Sequence, residues 1–153
     1  MLADTSILPA FACRIDTEES RDIYIVDGFV WKFDTWDEVV DWQCFSEWGL
    51  WSIIEEQDEK YFVPIIAAGY GWVKQPFIDG LIVPTPSKEH LDMYYDIICP
   101  LIAKYDLIDL CEDKNWGIDP NTNQPVIFDY GLVGYGTMKK ITDRMKQIGY
   151  PGD

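Results

Sequence analysis

The stretch Ile23-Tyr24-Ile25-Val26, Asp27-Gly28, Phe29-Val30-Trp31-Lys32-Phe33 restricts the fold more than any other. Two runs of β-branched and aromatic residues flank an Asp-Gly pair, the chemistry of a tight hairpin whose turn needs positive φ. A mostly apolar run from Ile7 to Arg14 reads as a preceding strand, with Asp16 to Asp22 as the polar reversal between them. Three antiparallel strands are therefore expected before Thr35. Lys32 interrupts an apolar strand, and alternation alone would turn it to a solvated face.

The rest of the chain alternates helix and strand signals. Thr35 can cap a helix in which Val39, Val40, Trp42, Phe45, Trp48, Leu50 and Trp51 recur at helical spacing to about Ile54, with Glu47 among them. A charged turn over 55–60 precedes a fourth strand over 61–68, where Pro64 suggests an edge or bulge. After Gly69-Tyr70-Gly71 comes a fifth strand over 72–78, and the Pro-bearing stretch Leu81 to Pro86 must be extended. Ser87 then caps a helix reaching about Tyr105, in which Pro100 predicts a kink or break. The last helix, Thr137 to about Ile148, carries Lys139, Lys140, Arg144 and Lys146 as a basic patch.

The length of 153 residues suits one domain with a real core. Apolar residues make up 48% of the chain, which belongs to a folded protein. The net charge of −15 opposes nucleic-acid phosphates and anionic membranes, so neither is an expected partner, whereas a basic protein surface is. Four widely spaced Cys without a C-x-x-C, and a single His90, argue against a zinc site or a disulfide framework. With no signal-peptide pattern and no membrane-length apolar run, a cytoplasmic location is expected.

The chemistry concentrates near the C-terminal end. Asn115-Trp116-Gly117-Ile118-Asp119 and Val126-Ile127-Phe128-Asp129-Tyr130-Gly131 read as two short strands around a Pro- and Asn-rich turn. The hairpin brings Asn115 and Asp129 to one edge, a pair of oxygen ligands suited to a hard cation such as Mg²⁺. The plainer alternative is a hairpin with solvated polar ends.

In this order, the parts resemble the protein-kinase-like fold and most nearly its small bacteriophage-encoded forms. Asp129-Tyr130-Gly131 is similar to the D-F-G motif and Asn115 to the Asn that ends the catalytic loop. The resemblance runs over about 7–135 and implies an α+β, two-lobed minimal fold. A five-stranded antiparallel N-lobe with one inserted helix would occupy about 1–79. A truncated helical C-lobe with a metal-loop hairpin would occupy about 80–153. It further implies ATP and Mg as cofactors. Lys32 would hold phosphates while paired to Glu47, Asn115 and Asp129 would hold the metal, and Asp109, or else Asp113, would serve as base. The hinge Lys74 to Gly80 would meet the adenine, with Gln75 and Phe77 in contact.

The chain also departs from the family. The reversal before β-rich Ile23 has no Gly to approach phosphates closely, and its Glu18 and Glu19 oppose them, leaving Ser20 and Arg21 as the favourable contacts. No His-Arg-Asp string precedes Asn115. The 22 residues after Gly131 leave no room for a peptide-substrate platform. Two functions follow as expectations: an ATP- and Mg-binding phosphotransferase or degenerate pseudokinase, and an acidic phage protein that binds and inhibits a basic host protein, a nucleic-acid-binding one among them by charge mimicry.

Overall fold

The computed structural model describes residues 5–7, 13–17, 21–34 and 43–149, for Thr5 and 13–17 the backbone alone. It is a small α+β fold. β1 (Cys13–Thr17), β2 (Arg21–Val26), β3 (Phe29–Asp34), β4 (Ala67–Gly69) and β5 (Trp72–Pro76) form an antiparallel sheet in the order β1-β2-β3-β5-β4. Asp27 and Gly28 both have positive φ, as the short loop between β2 and β3 requires.

The register decides which residues share a face. Arg21 lies opposite Asp34, Ile23 opposite Lys32 and Ile25 opposite Val30, while β5 sets Val73 against Lys32 and Gln75 against Val30. One face therefore carries Arg21, Ile23, Ile25, Val30, Lys32, Val73 and Gln75. On the other, Lys74 lies over the rings of Phe29 and Trp31, satisfying its charge against aromatic faces.

Helix α1 (Gln43–Ile53) packs on the sheet and on α4 (Tyr135–Ile148). The expected helix start, with Thr35, Val39, Val40 and Trp42, lies outside the described residues, as do 8–12 of the expected first strand. Gly49 lets the two helices meet, since a Cβ there would drive into Ile141.

The strand expected over 61–68 is divided. Glu56–Tyr61 is a 3-10 helix, Phe62 bridges Ile127 in parallel, and only Ala67–Gly69 pairs with β5. Pro64 falls at the crossing between the two sheets, where an absent N–H costs no ladder bond. The fifth strand likewise stops at Pro76, and the polar reversal ends earlier than expected because Arg21 and Asp22 already belong to β2.

Ser87 caps α2 (Lys88–Met93), its hydroxyl accepting from the His90 N–H. Pro100 does not break the helical run. A π-turn over Tyr94–Ile98 precedes α3 (Cys99–Tyr105), and the Cys99 N–H reaches back to the Tyr94 carbonyl. The wider turn accommodates the ring that an ordinary turn would reject. β6 (Trp116–Asp119) and β7 (Gln124–Ile127) form the predicted C-terminal hairpin, and Ile82 bridges Ile118 through a pair of backbone hydrogen bonds. The core joins Leu50 and Val73 to Ile98, Trp116, Ile127, Tyr130 and Ile141. Among the described residues, no helix is long and apolar enough to cross a membrane.

Candidate functional site

Alternation along β3 sends Lys32 inward, toward α1, and not to solvent; it is 4% exposed. One turn into α1, Glu47 is fully buried and meets it, with Lys32 Nζ 3.2 and 3.0 Å from the two carboxylate oxygens. Lys32 Nζ also donates to the Phe128 carbonyl at 2.8 Å. The ammonium thus ties β3, α1 and the end of β7 together. Its three donors match its three acceptors.

Arg21 completes the arrangement, and not as expected. It is not a phosphate contact in a polar reversal but the first residue of β2, with no exposed surface. Its Nη1 donates to Glu47 Oε1 and its Nη2 to Asp129 Oδ1, the latter at 2.6 Å. Burial works against the charged guanidinium, and the Glu47 and Asp129 carboxylates outweigh it, so its pKa lies well above the ordinary range. Burial equally opposes ionisation of Asp129, but Arg21 and then Lys32 hold its carboxyl below the usual value. Two cations and two carboxylates thus balance one another in charge. Buried charges are tolerable when paired in this way.

Asp34, opposite Arg21 across the β2–β3 ladder, belongs to the edge of this cluster. Burial raises its pKa to about 6 against the pull of Arg21. Its Oδ1 accepts the Cys44 N–H at 3.4 Å, holding the first turn of α1 to β3.

Above Lys32 lies a pocket of about 270 Å³. Ile23, Ile25 and Val30 wall it from the sheet, Leu81 and Phe128 from the C-terminal half, and Gln75, Pro76, Phe77 and Ile78 close one side. Gln75 is buried and donates to the Val63 carbonyl at 3.2 Å. Phe77 is 41% exposed, and its N–H is taken by Gly28 at 2.9 Å. Strand alternation turns the Pro76 carbonyl away from β3, and the Ile78 N–H, just past the strand, has no backbone hydrogen-bond partner among the described residues. An apolar slot with one acceptor and one donor on its rim suits a flat heterocycle. Its volume falls just under the roughly 300–1,000 Å³ of most ligand sites.

Asn115 and Asp109 form a separate, exposed constellation. Both have φ of 68°. The Asn115 amide nitrogen donates to the Asp109 carbonyl at 2.7 Å, and Lys114 pairs with the Asp109 carboxylate at 2.6 Å. Asn115 reaches the neighbourhood of Asp129 through its backbone, the Phe128 N–H donating to its carbonyl at 3.2 Å. Asp113 is exposed and accepts from the Cys111 thiol. Glu18, Glu19 and Ser20 lie outside the described residues.

These residues do not fit a magnesium ion. Asp129 Oδ1 is already bonded to a guanidinium, whose charge repels a dication. The Asn115 amide nitrogen is tied to the Asp109 carbonyl, so its Oδ1 is the one atom it could offer a cation. No group of three or more His, Cys, Asp or Glu able to hold a metal occurs among the described residues.

Compared with known proteins, the chain matches no protein-family model and no curated sequence.

Proposed function

We propose that this is a minimal kinase-like protein, of the degenerate, pseudokinase kind, whose cleft binds the base of an adenine nucleotide without transferring its phosphate. The observation that carries the reading is one apolar pocket lined by Lys32, which pairs with Glu47, and by Pro76 and Ile78, the Ile78 N–H having no backbone partner among the described residues. The inserted helix between β3 and β4, and the hairpin that delivers Asp129 to Arg21, support the same reading. Against phosphoryl transfer stand the engagement of Asp129 by Arg21 and of Asp109 by Lys114. A group that must accept a proton from a substrate hydroxyl is poorly served by a competing ammonium. A cytoplasmic setting accords with this reading.

Equilibrium binding of labelled ATP and adenosine tests it. One saturable equivalent, lost when Val30→Trp fills the pocket, is expected. No binding tighter than about 1 mM, or roughly −4 kcal/mol, would remove the nucleotide from the account.

A second reading is favoured by the net charge of −15: an acidic surface that engages a basic host protein, whether or not the cleft is occupied. Affinity capture that returns basic partners, released by salt, supports it; capture of none speaks against it.

A further inference from the structure

We infer that Arg21 stands in for a metal ion in this cleft, so that ligand binding there is independent of divalent cations. The inference rests on the nucleotide-cleft reading above and adds to it what the phosphate end of the site does. Four buried or near-buried groups decide the matter. Glu47 and Asp129 bring two negative charges, and Arg21 and Lys32 bring two positive ones. Among these four groups the charges balance without a cation from solution, while the buried Asp34 carboxyl lies at the edge of the cluster, opposite Arg21.

The arrangement is also hard to open. Arg21 begins β2, where its backbone is paired in register with Asp34, so its side chain enters the cluster from a fixed origin. Withdrawing the guanidinium would strand Asp129, whose side chain is only 18% exposed, and leave fully buried Glu47 with Lys32 alone. Lys32 in turn spends its donors on Glu47 and the Phe128 carbonyl. Both Arg21 Nη atoms and Lys32 Nζ are engaged by protein acceptors, and a metal at Asp129 would have to share the carboxylate with the Arg21 guanidinium on Oδ1. The phosphates of a nucleotide therefore gain little here, and the base supplies the affinity.

Isothermal titration of the intact protein with adenosine and with ATP, each in excess Mg²⁺ and in EDTA, tests this. The expected result is binding in all four conditions, with affinities agreeing within about threefold. Strengthening of ATP binding by Mg²⁺ of about tenfold or more would overturn the inference while leaving the cleft reading intact. Absence of binding in all four would remove the cleft reading and the inference with it.

The variant Arg21→Gln should acquire Mg²⁺ dependence, because Asp129 regains an uncompensated charge. Should that variant fail to fold, relaxation of water protons by Mn²⁺ added to the unliganded wild-type protein serves instead. No specific site is expected, and one equivalent of bound Mn²⁺ that disappears in Asp129→Asn would overturn the inference.

Discussion

Tyr130 donates its hydroxyl to the Val63 carbonyl at 2.6 Å. The residue after Asp129 is thereby suspended from the extended segment that walls the pocket, and its ring stacks edge-on against Phe62. The position of Asp129 is thus set by packing on the far side of the chain from its ion pair. Tyr130→Phe removes one buried hydrogen bond but keeps the ring, and Val63 retains the Gln75 amide. A loss of about 0.5–1.5 kcal/mol by urea denaturation is expected. A neutral result would mean that the hydroxyl contributes nothing.

Glu47 is the hub of the ion cluster, because both cations converge on it. Glu47→Ala leaves Arg21 and Lys32 buried together without the carboxylate both bond to, a change expected to cost about 3–5 kcal/mol. Thermal denaturation measures this. Glu47→Gln, which keeps shape and one acceptor oxygen for each cation to compete over, should also destabilise the fold. An alanine variant as stable as wild type would contradict the pairing.

Asp34 makes stability depend on pH. Its folded-state pKa, raised by burial to about 6, exceeds the value near 3.8 of an unhindered carboxyl. The folded state therefore binds more protons than the unfolded state between those values, and stability from this group falls as pH rises through that window. The full effect is on the order of 3 kcal/mol. Asp34→Asn, neutral throughout, should lose this slope, so the variant gains on wild type between pH 4 and pH 7. Equal pH profiles from urea melts would rule the account out.

Gly131 sits where a Cβ would lie 2.7 Å from the Gln43 carbonyl oxygen, backbone that cannot step aside cheaply. Gly131→Ala should push the segment after Asp129 away from the start of α1. A cost of about 1–3 kcal/mol is expected, together with weaker ligand binding, whereas Gly136→Ala, with nothing near its Cβ, is the matched control.

What could be read from sequence was local. The Asp27-Gly28 turn and its flanking strands follow from turn chemistry and β-branched runs, and the C-terminal hairpin follows in the same way. The meeting of Lys32 with Glu47 is legible only by resemblance, since alternation alone turns Lys32 to a solvated face. The apolar run places the start of this strand at Ile23, whereas β2 begins at Arg21. Extending the same alternation two residues back puts Arg21 on the face of Ile23 and Ile25, and that signal was present. The division of 61–68 between two sheets, and the π-turn before Pro100, depend on partners distant in the chain. No window of sequence contains them.

Methyl NMR of the isoleucines tests most directly that the pocket over Lys32 is the ligand site. On titration with adenosine, the account predicts shifts at Ile23, Ile25 and Ile78, which line the pocket, and none at Ile141 or Ile148 on α4. An unchanged spectrum, or shifts centred on Ile141, would contradict it.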